Sequence, residues 1–110
     1  LAGAPKDTPT ILLKHRPVGA SESAAAGVGL QLSGHTHGGM ISGLDLVAGY
    51  ANQGFVSGRY DVDRMKLYVS NGTALWNGFP IRLGVPAEIT EIVLRASPTL
   101  EEHAARRTFP

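Results

Sequence analysis

Two histidines separated by a single residue are the most chemically informative feature of this chain. His35 and His37 lie within Gly34–Gly39, which reads Gly-His-Thr-His-Gly-Gly and follows the apolar run Val28–Leu32. His15 stands at the end of an earlier apolar run. Neutral imidazole binds zinc, manganese, iron and similar ions, and flanking glycines let the main chain turn sharply and approach a ligand closely. The three histidines are therefore predicted to form a metal site.

The segments around these histidines predict a strand, a short helix and a second strand. Thr10–Leu13 and Val28–Ser33 are apolar runs suited to buried strands. Ser21–Ala26 lies between them and suits one or two helical turns with a serine as the N-cap. Elements in this order form a parallel crossover, so both strands end at the same edge of the sheet. Because sites in α/β sheets form at that edge, the first histidine is expected close to the other two.

Four further segments complete the predicted elements. Ile41–Asn52 is apolar but interrupted by glycines, which favours a loop. Gly54–Tyr60 and Met65–Ser70 are predicted to pair as strands around a turn at Asp61–Arg64. Glu88–Leu94 is predicted to be a last strand because it carries several apolar side chains. With 14 glycines and seven prolines, the chain is expected to be a loop-rich α/β (α+β) protein with short strands.

The composition divides the chain into three parts. Residues 1–9 read as a linker, residues 10–95 as part of a folded domain, and residues 96–110 as a polar tail. Thr99 and Glu102 make a capping box, which predicts a short helix over Leu100–Arg107. His103 lies in this tail and is expected to be solvated.

The overall composition excludes several classes of protein. A hydrophobic content of 43% rules against a disordered chain. The 10 basic and nine acidic residues nearly balance, so no nucleic-acid partner is expected. The absence of cysteine excludes a thiolate metal site. No apolar run approaches the roughly 20 residues that a membrane helix needs.

Several segments carry a resemblance to a known family. Ile11–Pro17 ends in Lys-His-Arg-Pro, and Leu30–Gly39 contains the Gly-His-Thr-His-Gly-Gly motif. Gly58–Tyr60, Leu67–Thr73 and Pro80–Thr90 follow in matching order and spacing. Together these segments resemble the calcineurin-like metallophosphoesterases. They are most similar to a bacterial branch whose members often carry N-terminal membrane segments, which implies a membrane-anchored parent protein.

The resemblance implies a fold, a reaction and a ligand set. The fold would be a four-layer αββα sandwich, of which residues 10–95 form the C-terminal half. The reaction would be hydrolysis of phosphomonoesters or phosphodiesters through a hydroxide activated by two divalent metal ions (Mn, Fe or Zn). By the same resemblance, His15 and His35 would bind the second metal and His37 the first, and His35 and His37 would count as catalytic.

The acidic ligands of the family are missing from this chain. The four aspartates lie in linker or turn positions: Asp7, Asp45, Asp61 and Asp63. Met40 stands where the family usually has glutamine. The chain is therefore interpreted as the C-terminal part of a longer enzyme and is expected to be inactive alone. Its uncovered apolar surface should pack against the missing N-terminal half or cause self-association.

Two other interpretations remain open at this level. The three histidines could form a non-catalytic metal-binding module, or they could bind nothing in a purely structural fragment. Asn71 and Thr73 follow a strand and could face the site or serve a plain turn. Trp76, Phe79 and Arg82 could form a substrate wall, with the arginine meeting a phosphate, or could serve core packing and a surface ion pair.

Overall fold

The computed structural model describes residues 3, 5, 8–76, 78 and 80–96 as a small mixed α/β unit. Its elements, in chain order, are β1 (Ile11–Leu13), α1 (Ala20–Ala25), β2 (Leu30–Ser33), a 3₁₀ turn (His37–Gly39), α2 (Asp45–Ala51), β3 (Gly58–Val62) and β4 (Met65–Val69).

The four strands form one mixed sheet in the order β1-β2-β4-β3. β1 and β4 flank β2 in parallel, and β3 is antiparallel to β4. The predicted parallel crossover from β1 through α1 to β2 is confirmed, and so is the pairing of β3 with β4. Leu13 is in register with Leu32, so the two strands that precede the histidines end side by side.

The core lies on one face of the sheet and is built around β4. Met65, Leu67 and Val69 alternate along this strand and are fully buried, as the period of two in a strand requires. Ala20 from α1 and Val28 before β2 join the same cluster. Burial of each large apolar side chain contributes about 1.5–3 kcal/mol, so this cluster fixes the strands whose ends carry the site.

The segment Ile41–Asn52 is not the loop that its glycines predict. It contains α2, which has Leu44 as N-cap without any side-chain capping bond and Gly49 in its interior. A Cβ at Gly49 would lie 3.3 Å from Val56 Cγ2, so glycine allows close packing against the following segment. The sequence gives only weak local signals for this helix, so tertiary contacts determine it.

The prediction of a last strand over Glu88–Leu94 is wrong as well. This segment takes no part in a strand, and Ile89 and Leu94 are 91% and 65% exposed. An apolar pattern makes a strand only where a neighbouring strand can pair with it, and the described sheet has none here. The predicted helix Leu100–Arg107 lies outside the described residues.

The boundaries of other elements also differ from the prediction, most clearly those of α1 and β3. α1 has Gly19 as its N-cap, with φ of 71° and no side-chain capping bond, in place of the predicted serine. β3 begins at Gly58 and runs to Val62, so the turn before β4 is shorter than Asp61–Arg64.

Candidate metal centre

His15 and His35 are in direct contact beyond the ends of β1 and β2. The pairing of these strands continues past their last residues, since the Gly34 amide donates to the carbonyl of His15 at 3.0 Å. His35 Nδ1 lies 3.1 Å from His15 Nε2, and the two rings meet edge to face with centroids 5.0 Å apart. Parallel pairing thus brings together two of the three histidines that the sequence analysis selected.

His37 is held by a different contact. Its Nδ1 lies 3.0 Å from the carbonyl oxygen of Ala74, and its ring meets Trp76 edge to face at 6.3 Å. Because a carbonyl oxygen only accepts, this contact selects, for the neutral ring, the tautomer with hydrogen on Nδ1 and the lone pair on Nε2. Within the described part of the chain, no three histidine, aspartate or glutamate side chains are grouped so that they could hold an ion. The ligand roles of His15, His35 and His37 therefore stay predictions.

The geometry of the His15–His35 pair can be compared with that of a metal site. Two imidazole nitrogens bound to one zinc ion at about 2.0–2.1 Å lie about 3.0–3.4 Å apart for ordinary coordination angles. The observed separation of 3.1 Å falls in this range. This separation is compatible with two nitrogen ligands of one divalent ion, whose shell further oxygen ligands would have to complete, and equally with a direct N–H···N hydrogen bond between the rings.

The pKa of His35 favours the ligand form of its ring. Burial lowers this pKa from its ordinary value of 6.5, and electrostatic interactions, first with Arg16 and then with the neighbouring His15 and His37, lower it further. A lowered pKa keeps the imidazole neutral near pH 7. Neutral imidazole is the form that binds metal ions.

The main chain of Gly34–Gly39, called the histidine loop below, is strained. His35 and His37 have φ values of 72° and 50°, which non-glycine residues adopt at a cost of order 1–3 kcal/mol. Buried Thr36 donates a short hydrogen bond from Oγ1 to the carbonyl of Val56, and Trp76 Nε1 donates to the carbonyl of His35 at 3.4 Å. Strain that surrounding contacts maintain is typical of functional sites.

The two glycines after His37 leave no room for side chains. Gly38 has φ of 64°, and a Cβ there would lie 2.5 Å from Asn71 Oδ1 and 2.6 Å from Val85 Cγ1. Gly39 has φ of 81°, and a Cβ would lie 2.6 Å from the main-chain nitrogen of Asp45. The Gly-Gly pair therefore lets α2 and the loop at Asn71 pack directly against the histidine loop.

Arg82 holds this region together through main-chain carbonyls. Its Nη1 donates to the carbonyls of three residues at 3.1–3.4 Å, namely His37, Val85 and Pro86. Its Nη2 donates to the carbonyls of three others at 2.8–3.4 Å, namely Asn71, Gly72 and Ala74. Every hydrogen bond of Arg82 in the described structure thus goes to a carbonyl, so within the described residues this arginine forms no ion pair, and the phosphate contact considered from sequence stays a prediction.

A cavity of about 420 Å³ lies beside His35 and His37. Its other walls come from α2, the residues next to it and the segment before Trp76, and they are mainly apolar: Leu44, Val47, Ala48, Ala51 and Leu75. This volume lies within the range of about 300–1,000 Å³ that is usual for small-molecule sites. Sequence reasoning missed α2 and therefore missed this cavity.

Of the remaining sequence candidates, Asn71 lies next to the site. Its side-chain Oδ1 is buried without a hydrogen-bond partner among the described residues and lies 2.5 Å from the position that a Cβ of Gly38 would take. Phe79 and His103 lie outside the described residues.

Comparisons with known proteins identify relatives of the chain. It is 46% identical over 101 residues to a bovine protein named "Transmembrane protein with metallophosphoesterase domain", a match that covers 89% of this chain and 22% of the relative. An uncharacterized metallophosphoesterase of Campylobacter jejuni is 41% identical, with 78% of this chain and 23% of the relative covered. One from Bacillus subtilis is 34% identical, with coverage of 80% and 32%.

The chain spans about a fifth to a third of the length of these relatives. No protein-family model matches it, and no solved structure does. Although the bovine relative is named a transmembrane protein, none of the helices in the described residues is long and apolar enough to cross a bilayer. On the similarity to these relatives, the chain belongs to the metallophosphoesterase family and corresponds to a portion of its longer members.

Proposed function

We propose that this chain is the C-terminal part of a metal-dependent phosphoesterase domain with a four-layer αββα sandwich. The observation that carries the proposal is the contact between His15 and His35 at the ends of two parallel strands, at 3.1 Å. The pair lies in a chain whose relatives are metallophosphoesterases. The proposed reaction is hydrolysis of phosphomonoesters or phosphodiesters.

Exposed apolar side chains on the described residues support the presence of a second half of the domain. β1 is an edge strand, and its Ile11 and Leu13 are 43% and 77% exposed. Val93 and Leu94 on the segment after β4 are exposed as well. Exposed apolar side chains on an open strand edge are stable when another part of the protein covers them. In our proposal the N-terminal half of the domain covers them and supplies the acidic ligands.

The histidines of this chain would act as nitrogen ligands for Mn²⁺, Fe or Zn²⁺. Divalent ions, when bound, supply an activated water and neutralise negative charge on the phosphate. His15 and His35 present adjacent ring nitrogens, and the lowered pKa of His35 keeps its ring free of a competing proton near pH 7. His37 keeps Nε2 as a free lone pair because Nδ1 is bound to Ala74.

The cavity beside the histidines supports a preference among esters. Within the described lining there is no lysine, arginine, aspartate or glutamate. An uncharged, mainly apolar organic group would replace water there favourably, while the phosphate remains at the histidines. The proposed substrates are therefore phosphoesters with an apolar organic group.

The test uses the protein at its full natural length. His15→Ala and His35→Ala should each lower Mn²⁺-dependent hydrolysis of bis(p-nitrophenyl) phosphate at least about 100-fold, because loss of an outer-shell partner alone costs 10–100-fold. The matched control is His103→Ala, which removes a histidine from the polar tail and should leave activity unchanged.

Metal content measured on the same variants separates the alternatives. Full activity in either variant would contradict the proposal. Bound metal without turnover in the wild-type protein would instead support a non-catalytic binding module.

A further inference from the structure

Arg82 contacts His37 at two places. Its Nη1 donates to the main-chain carbonyl of His37 at 3.4 Å. Its Nη2 donates to the carbonyl of Ala74 at 2.8 Å, which is the shortest of its six hydrogen bonds. The same Ala74 oxygen lies 3.0 Å from Nδ1 of the His37 ring. One guanidinium therefore fixes both the main chain of His37 and the acceptor that its ring uses.

The shared acceptor at Ala74 selects the tautomer of the neutral His37 ring. A carbonyl oxygen has two lone pairs, so it can accept from Arg82 and from His37 together. An acceptor at Nδ1 selects the tautomer with hydrogen on Nδ1 and leaves Nε2 as the free lone pair. A partner of this kind orients a metal-binding histidine and raises its affinity for the ion.

The chemistry of the arginine side chain suits this role. The six acceptors come from three separate segments, which are the histidine loop, the loop after β4 and the turn at Val85–Pro86. A planar guanidinium has terminal N–H groups that point in several fixed directions. A lysine ammonium is a compact point charge on a flexible stem and cannot reproduce that fork.

We propose that Arg82 is a positioning residue for His37. Through the Ala74 carbonyl it holds the neutral His37 ring in the Nδ1–H tautomer and leaves Nε2 available as a ligand atom. The metal part of this inference rests on the proposed function, whereas the tautomer part does not.

The first experiment measures the tautomer in metal-free protein of full natural length. Long-range ¹H–¹⁵N NMR correlations of ¹⁵N-histidine distinguish the two neutral tautomers of His37. Wild type should give the Nδ1–H form alone, and Arg82→Lys and Arg82→Met should give a mixture. Arg59→Met is the matched control, because Arg59 is an exposed arginine on β3, and it should keep the wild-type form.

The second experiment measures Co²⁺ affinity by visible absorption on the same proteins. Arg82→Lys and Arg82→Met should weaken Co²⁺ binding about 10–100-fold, and Arg59→Met should not change it. Since Arg82→Lys keeps the charge, it decides the question if Arg82→Met fails to fold.

The possible results separate the two proposals. An unchanged tautomer and unchanged Co²⁺ affinity in Arg82→Lys would overturn the positioning role. Failure of wild type to bind Co²⁺ would overturn the proposed function, and the tautomer measurement would then decide the role of Arg82 alone.

Discussion

Gly38 is the position where a single methyl group should damage the site most directly. The residue has φ of 64°, and the structure leaves no space at its Cβ position. In Gly38→Ala, the new carbon would lie 2.5 Å from Asn71 Oδ1 and 2.6 Å from Val85 Cγ1, both far inside ordinary contact distance. Arg82 holds the main-chain carbonyls of both neighbours, so relief of the clash has to come from rotation of their side chains within a packed region.

The cost of Gly38→Ala follows from two separate contributions. A left-handed main-chain conformation costs a non-glycine residue about 1–2 kcal/mol. Forcing an extra carbon into a packed region costs about 1–3 kcal/mol more. The free energy of unfolding should therefore fall by about 2–5 kcal/mol. Gly43→Ala is the matched control, because Gly43 also has a positive φ, of 99°, but has nothing within 4 Å of its Cβ position.

Equilibrium urea unfolding of metal-free protein at pH 7 measures both variants. Gly43→Ala should lose only the conformational contribution, so Gly38→Ala should be less stable than Gly43→Ala by about 1–3 kcal/mol. Equal stability of the two variants would show that Asn71 and Val85 yield without cost, and the close packing inferred here would be refuted.

Two further predictions concern acid stability and substrate preference. Burial raises the pKa of Glu88, but hydrogen bonds from Thr90, Tyr68 and a main-chain amide outweigh it and leave this pKa below its ordinary value of 4.5. A carboxyl with a lowered pKa in the folded state stabilises above its unfolded pKa, and this stability is lost as the pH falls through the folded pKa. Glu88→Gln should therefore lower the urea midpoint of metal-free protein at pH 7, and this difference from wild type should shrink below pH 4.5. A difference in midpoint that does not depend on pH would contradict the prediction. Val47→Glu replaces part of the apolar wall of the cavity with a carboxylate and should raise KM for an aryl phosphodiester at least about fivefold, since the apolar group then buries less apolar surface, with little change for a methyl ester. Leu46→Glu lies on the same helix outside that cavity and should not raise this KM. An equal effect of both variants would argue against binding of the aryl group in the cavity.

The parallel crossover and the contact between His15 and His35 could be predicted from sequence. Apolar runs of strand length with a short helical segment between them allow essentially one local topology. That topology determines where the ends of β1 and β2 lie, and the histidines follow directly. Prediction worked here because the deciding signals are local in sequence.

The features that could not be predicted depend on contacts between distant segments. The sequence around Arg82 does not indicate that its hydrogen-bond partners are carbonyls of three segments, because a residue of any type can supply a main-chain carbonyl. α2 lacks a capping side chain and contains Gly49, which allows the helix to pack closely against Val56. Glu88–Leu94 has strand-like composition, but composition does not reveal whether a partner strand is present.

The bonding of Arg82 also has an electrostatic consequence. Carbonyl dipoles hold the guanidinium in place but do not neutralise its charge as a carboxylate would. Its hydrogen bonds to the carbonyls of His37 and Ala74 set this positive charge beside the histidine loop, well within the roughly 8 Å over which charges act at physiological salt. If the proposed function holds, a phosphate ester approaching the site would meet an attractive field before any contact forms, so raising the ionic strength should slow substrate binding more than the chemical step.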